Sequence, residues 1–198
     1  MPIQSHPREL ILASTSPYRR ALLTRLAIPF TVQGPRIDES PLPGESATAL
    51  SQRLALVKAS HIAAEFPEAV VIGCDQVAES AGRTVGKPGT ADNAFQQLRD
   101  FSGREVRFYT AAAVICRASG FSGQALDTTA VRFRELTDDE IRRYIALDQP
   151  LDCAGSFKSE AAGPSLMQSM STQDPAAIVG LPLIALSRML RAAGFHLL

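Results

Sequence analysis

Apolar and polar positions change their period several times along this chain, and each change marks an element. Leu10-Ile11-Leu12-Ala13 is a short continuous apolar run, the signature of a buried strand. Ser16-Pro17 follows as a cap with proline at the first helical position. Tyr18, Leu22, Leu23 and Leu26 then recur at helical spacing, predicting a helix from about Pro17 to Ala27. A polar, proline-rich loop runs from Gly34 to Glu45. Beyond it a helix is predicted from about Ser46 to Glu65, with Leu50, Leu54 and Val57 as its apolar stripe. Val70-Val71-Ile72 is the clearest buried strand, continuing to Cys74. Gln76 to Pro88 reads as a hairpin turning near Ala81-Gly82, and Thr90 caps a helix ending near Phe101. Alternation then predicts a strand over Val106 to Cys116 and another over Ala125 to Phe133, with Ser119-Gly120 and Ser122-Gly123 marking the turn region. Thr137-Asp138-Asp139-Glu140 is a capping box that opens a helix to about Leu147. A last helix starts at Leu181-Pro182, buries Leu183, Leu186, Met189, Leu190 and Ala193, and stops at Gly194. Strands and helices mix without regular βαβ spacing, so the expected fold class is α/β or α+β, with a mixed central sheet flanked by helices.

Composition narrows the function classes. At 198 residues with 45% hydrophobic content, the chain supports one sizeable core, and one domain over residues 1–198 is expected. Twenty Lys plus Arg balance twenty Asp plus Glu, so no global field favours nucleic acid or an anionic membrane. An anionic ligand must be held by a local cluster of cations. Met1 to Glu9 has no signal-peptide pattern, and no stretch approaches the roughly 18–20 apolar residues of a membrane span, so a cytoplasmic protein is expected. Cys74, Cys116 and Cys153 lack CxxC or Cys/His spacing and are expected as buried, reduced thiols. His6, His61 and His196 form no partner pattern, and no GxSxG elbow supports a serine nucleophile.

Several segments mix chemistry with backbone geometry. Ser14 to Arg20 lies where a strand gives way to a helix, offering free N–H groups, hydroxyls and two guanidinium groups to an anion; the plainer account is a capped helix with solvated arginines. Asp75 is expected just past the end of the strand Val70 to Cys74, where open α/β sheets bind ligands and a carboxylate can hold a metal or accept a proton. Lys87, between Gly86 and Pro88, faces either a phosphate or solvent. Asp38-Glu39 is either an acidic turn or a source of ligating carboxylate. Lys58 lies beside the apolar stripe, which brings its ammonium to the core edge unless it snorkels outward. Cys153 to Glu160 combines small residues, an aromatic, a cation and an acid, a composition suited to touching a ligand.

Taken in order, seven segments resemble the Maf family of nucleotide pyrophosphatases: Leu10 to Arg20, Asp38-Glu39, Arg53 to Ala59, Gly73 to Gln76, Gly86 to Pro88, Ala154 to Glu160 and Val179 to Pro182. The resemblance runs from about Leu10 to Leu190. It implies a mixed-sheet fold related to inosine triphosphate pyrophosphatases and frequent homodimers. It also implies a divalent cation, Mg²⁺ or Mn²⁺, and hydrolysis of a nucleoside triphosphate to monophosphate and diphosphate. By that resemblance Ser14, Arg19, Lys58 and Lys87 contact phosphates. Asp75 and Glu39 hold the metal, with Asp75 as proton acceptor and Lys87 completing the catalytic set.

Base selection is expected at Tyr18, Gln76 and Glu160. Members using ordinary pyrimidine triphosphates resemble one another in having Arg, Thr and Gln at those places, whereas the subgroup acting on 7-methyl-GTP usually has Trp, Gln and Glu. Tyr18 in place of Trp is the one departure. A 7-methylguanine base is cationic, so an aromatic face and a carboxylate suit it, and an arginine would repel it. The alternatives are a pyrophosphatase for UTP, dTTP, GTP or other modified nucleotides, and a nucleotide-binding regulator of cell division. The expected partner is a small-molecule nucleotide.

Overall fold

A computed structural model describes residues 8–197; the readings made for residues 1–7, His6 included, lie outside them. Seven strands form one mixed sheet, in the order β2-β1-β3-β5-β6-β7 with β4 also on β3. Strand β1 (Leu10–Ala13) lies parallel to β2 (Thr31–Val32) and to β3 (Val70–Ser80). Strands β5 (Glu105–Cys116), β6 (Phe121–Phe133) and β7 (Met167–Ser171) continue the sheet antiparallel. Short β4 (Arg83–Val85) folds back on the end of β3, and Ala81 (φ 50°) and Gly82 (φ 74°) make the turn with both central residues left-handed. This is the mixed sheet flanked by helices that the patterning predicts.

Strand alternation sends side chains to two faces. Helix α2 (Ala47–Glu65) covers the face of Ile11, Ala13, Val71, Ala111 and Ala113 with Ala55, Ala59, Ile62 and Ala63. The opposite face carries Leu12, Ile72, Cys74 and Val114. It is covered by α1 (Pro17–Thr24) through Leu22 and Leu23, and by α5 (Leu183–Ala192) through Leu186 and Leu190. Farther along that face, Phe108, Val131 and Phe133 pack on Leu98 and Phe101 of α3 (Ala91–Phe101) and on Ile141 and Tyr144 of α4 (Asp138–Asp148). The capping box at Thr137 and Glu140 forms as the sequence predicts.

Several boundaries differ from the reading of the sequence. Strand β3 does not stop at Cys74 but runs to Ser80, so Asp75 lies inside it. Strand β6 begins at Phe121 and includes Gly123, which pairs with Val114 of β5 while Met189 of α5 packs close over it. Val57 is exposed, and the buried stripe of α2 runs through Leu54, Ala55, Lys58 and Ala59 instead. Helix α1 stops at Thr24, and Ala27 turns the chain with φ 53°. Helix α5 starts at Leu183 with Pro182 before it, and the Asp174 carboxylate caps it from a distance, accepting from the Ile184 N–H at 2.6 Å.

One feature of the sheet locates the cleft. Strand β1 pairs with residues 70–73 of β3, and β4 pairs with residues 78–80 on the same edge. Between those contacts Cys74, Asp75, Gln76 and Val77 have no strand beside them on that side, so a notch opens in the sheet. Parallel β1 ends there too, which makes this the local equivalent of a crevice at the carboxyl end of parallel strands.

Candidate functional site

A cleft of about 600 Å³ opens at the notch, and all nine residues singled out in the sequence line it: Ser14, Tyr18, Arg19, Glu39, Lys58, Asp75, Gln76, Lys87 and Glu160. Its geometry begins at Gly73. A Cβ there would collide with the Ala55 carbonyl and the Ala59 N–H, so the α2 backbone lies directly on β3. That close approach, with alanines at 55, 59 and 63, brings the next inward side chain, Lys58, over Asp75. Both are buried, with relative exposures of 4% and 6%, and the Lys58 ammonium donates to Asp75 Oδ1 at 2.6 Å. The same ammonium stands 3.0 Å from Glu39 Oε1, an exposed carboxylate reaching in from the 34–45 loop. One cation thus joins two carboxylates, so neither the buried Lys58 nor the buried Asp75 is left without an opposite charge. Burial pushes the Asp75 carboxyl above the ordinary carboxylate range, Lys58 and Arg19 oppose that rise, and Glu39 adds to it.

The loop bearing Glu39 is fastened by a pair the sequence reading missed. Arg53 binds both Glu45 oxygens, at 2.6 and 2.8 Å, and donates to the Ser40 carbonyl at 3.0 Å. Held this way, the Glu45 carboxyl falls to about 2. Arginine's forked donors suit a bidentate clamp of this kind, and the only signal available was the i, i+8 spacing from the loop into α2.

Arg19 projects from the first turn of α1. Ser16 caps that helix, accepting from the Arg19 N–H at 3.4 Å, and Ser14 Oγ accepts from Ser16 N–H at 3.2 Å and from Arg19 Nη1 at 3.5 Å. Arg19 Nε donates to the Gly180 carbonyl at 3.1 Å, which also accepts from the Cys74 thiol at 2.9 Å. Gly180, with φ 121°, takes a backbone conformation that other residues rarely adopt. Lys87 is exposed and makes no hydrogen bond or ion pair among the described residues, which leaves its ammonium available to an anion.

Gln76 points to the other face from Asp75. Its amide nitrogen donates to the Ala177 and Ile178 carbonyls, at 3.0 and 2.9 Å, and to the Thr110 hydroxyl at 3.0 Å. Its donors are engaged with the cleft wall, so what it offers a ligand is its carbonyl oxygen.

The remaining wall is irregular. Gly155 (φ 68°) and Ser156 (φ 53°) fold the segment after α4 against Phe108, and Phe157 is buried among Phe108 and Phe133. Lys158 donates from its backbone to Tyr144 Oη at 2.9 Å and from its ammonium to the Asp148 carbonyl at 2.8 Å. That ammonium lies 5.6 Å from the centroid of the Tyr18 ring, and Tyr18 Oη donates to Asp152 Oδ1 at 3.2 Å. Glu160 is exposed at the rim. Cys153 is not a fully buried thiol as expected but a half-buried one lining the cleft; all three cysteines are free. Burial and the Asp152 carboxylate push the Cys153 thiol up to about 12, so it stays protonated and is no nucleophile. Asp152 also escaped the sequence reading, since an aspartate after Pro150-Leu151 looks like a turn former.

No helix among the described residues is long and apolar enough to cross a membrane. The family model for Maf-like protein matches residues 9–193. A 7-methyl-GTP pyrophosphatase of Polaromonas sp. is 54% identical over 190 residues, 96% of this chain and 87% of that protein. A protein of the same name from Albidiferax ferrireducens is 50% identical over 197 residues, 100% and 98% of the two chains. One from Xanthomonas campestris pv. campestris is 54% identical over 188 residues, 95% and 97%. The solved structure of the Staphylococcus aureus Ham1 protein overlaps in part, with a TM-score of 0.46 and 15% identity over 64% of this chain and 72% of that one. The matched segment runs from the start of the sheet to the end of α5 and contains every residue lining the cleft, and by that match the chain belongs to the Maf family.

Proposed function

We infer that this protein is a nucleoside triphosphate pyrophosphatase that hydrolyses 7-methyl-GTP to 7-methyl-GMP and diphosphate, clearing a modified nucleotide from the pool. The observation that carries the reading is one cleft holding two kinds of group. Arg19, Lys58 and Lys87 supply positive charge beside the Asp75 carboxylate, while a neutral aromatic at position 18 and a carboxylate at position 160 line the same cavity. The name shared by relatives at least 50% identical over nearly their whole length supports the same substrate.

In the reaction, a water oxygen forms a bond to the α-phosphorus, the bond from that phosphorus to the bridging oxygen breaks, and diphosphate leaves. Asp75 takes the water proton. In the cation-free cleft burial raises its pKa, which makes it a stronger base than an exposed aspartate, and Lys58 fixes its orientation. Arg19 and Lys87 neutralise phosphate charge, the first as a planar fork and the second as a mobile point charge. Ser14 Oγ holds the guanidinium of Arg19 toward the cleft.

A divalent cation fits the donor set. Among the described residues no group of three or more His, Cys, Asp or Glu could cage a metal, but Mg²⁺ is commonly held by one or two carboxylates together with substrate phosphates. Asp75 and Glu39, already converging on one ammonium, are the two that would hold it. Bound there, Mg²⁺ or Mn²⁺ supplies charge neutralisation and lowers the pKa of a water. The three free thiols fit the reducing cytoplasm as the place of action.

The deciding experiment incubates the purified protein with 7-methyl-GTP, GTP, UTP and dTTP, with and without Mg²⁺, and measures diphosphate release. A clear preference for 7-methyl-GTP with dependence on the cation is expected. Equal turnover of all four, or preference for UTP or dTTP, would sink the substrate assignment.

A further inference from the structure

We propose that Asp152 is a specificity-determining residue of this cleft, the second carboxylate recognising a cationic base; this rests on the function inferred above. The difficulty it resolves is electrostatic. Tyr18 is the aromatic surface for the base, yet the Lys158 ammonium already lies over its ring at 5.6 Å. Lys158 is half-buried and is not among the residues lining the cleft, so the ring already carries a neighbouring cation before a base arrives. A positively charged base stacking on that ring meets like charge beside it, and Glu160 alone would merely balance Lys158. Asp152 tips the balance. With both carboxylates ionised, this wall has one negative charge in excess, the complement of a base carrying one positive charge.

Geometry separates Asp152 from an ordinary surface turn. Its carboxylate lines the cleft and accepts from Tyr18 Oη at 3.2 Å and from the Cys153 thiol at 3.5 Å. Both donors are neutral: burial raises the Tyr18 phenol and the Cys153 thiol, so neither loses its proton near pH 7. They orient the carboxylate without cancelling its charge. Glu160 differs, since its only hydrogen bond among the described residues is with neighbouring Ser159 at 3.5 Å, so it must be ordered when ligand binds. A fixed group loses less on binding than a mobile one. The chemical class recognised is a purine nucleotide with a cationic, N-alkylated base.

The test is Asp152→Asn, assayed on 7-methyl-GTP and GTP, with calorimetric binding of 7-methyl-GMP and GMP as a readout independent of turnover. Asp152 is exposed, so the variant should melt with the wild type. The kcat/KM ratio of 7-methyl-GTP to GTP should fall about 10-fold, mostly through KM, consistent with loss of one charged partner. 7-methyl-GMP should bind more weakly while GMP is nearly unchanged. Tyr18→Phe keeps the ring and removes the hydroxyl that orients Asp152, and should produce a smaller fall in the same ratio. A wild type with no preference for the methylated base overturns both this inference and the function it rests on. A wild type that prefers it, whose Asp152→Asn variant keeps the ratio or loses both substrates equally, overturns the role of Asp152 alone.

Discussion

The two walls of the cleft are built on different principles. One is regular: β1, β3 and α2 meet at Gly73 and Ala59 with backbone against backbone, and the groups there, Lys58 and Asp75, are buried and mutually paired. The other is irregular: residues 152–160 pass through left-handed Gly155 and Ser156, and the groups they present, Asp152 and Glu160, are exposed. A packed strand–helix contact resists displacement and suits a reaction centre common to any triphosphate. A loop tethered by side chains can change its composition without disturbing the sheet, which suits selection of the base. The division predicts that variants of the buried Lys58–Asp75 pair change the rate for every nucleotide, while variants of Asp152 and Glu160 change the choice among them.

The largest effect that could break this division is at Asp75. Asp75→Asn should lower kcat by about 10² to 10⁴-fold on every substrate, as removal of an acid–base group does, with nucleotide binding largely kept. Single-turnover diphosphate release would show it. A variant with more than half the wild-type kcat removes Asp75 from the chemistry.

Next comes Glu160, on the other wall. Glu160→Gln removes a charge at constant size, so recognition of the cationic base should weaken by about 1.5–3 kcal/mol, roughly 10 to 100-fold, with less loss on GTP and UTP. Tyr18→Arg should lower the same ratio further by setting cation against cation. Equal loss on all nucleotides would move Glu160 into the common frame and dissolve the contrast between the walls.

How much of each wall is legible in the sequence follows from the same contrast. Continuous apolar runs identify β1 and the start of β3, and a lysine beside an apolar stripe marks Lys58, because burial in regular elements leaves a periodic trace. The stripe itself is misread at Val57 by one position, since alanines 55 and 59, small enough for close approach, stand out less than a valine. Strands β2 and β7 escape because both are exposed edge segments with no alternation to detect. Asp152 escapes because its meaning lies in a contact across the fold, Tyr18 and Asp152 being 134 residues apart, and the Arg53–Glu45 clamp because its eight-residue spacing runs from loop into helix and matches neither period. No periodicity reports such a pair.

A smaller effect is expected from the clamp. Arg53→Met leaves Glu45 and the Ser40 carbonyl without their partner and frees the loop bearing Glu39. Supporting residues of this type typically matter by about 10 to 100-fold in metal affinity or activity, and the exposed position of Glu39 favours the lower end. The Mg²⁺ concentration needed for half-maximal activity should rise while the preference among bases stays fixed. A change in base preference without a change in Mg²⁺ dependence would show that the loop belongs functionally to the other wall.

The smallest effect at neutral pH, and the most diagnostic of the buried wall, is the position of the acid limb of kcat/KM. Asp75 must be unprotonated to take the water proton, so activity falls as pH drops through its pKa. Burial raises that pKa in the cation-free cleft, while a cation held at Asp75 would lower it, so the limb should move to lower pH as the Mg²⁺ concentration is raised. The rise caused by burial has a stability counterpart. A carboxyl with a raised folded pKa favours the folded state below its unfolded value, and that contribution is lost as pH rises through the folded value, so the ionised form is retained at a cost that Lys58 offsets. Two substitutions should move the limb in opposite directions. Lys58→Met removes a charge that lowers the Asp75 pKa and should shift the limb to higher pH. Glu39→Gln removes one that raises it and should shift the limb lower. Each is read from the midpoint of the profile at one fixed, sub-saturating Mg²⁺ concentration, beside the wild type under the same conditions, because a cation bound at Asp75 would mask both shifts. A limb that stays in place in both variants would assign the ionisation to another group and leave Asp75 without its part in proton transfer.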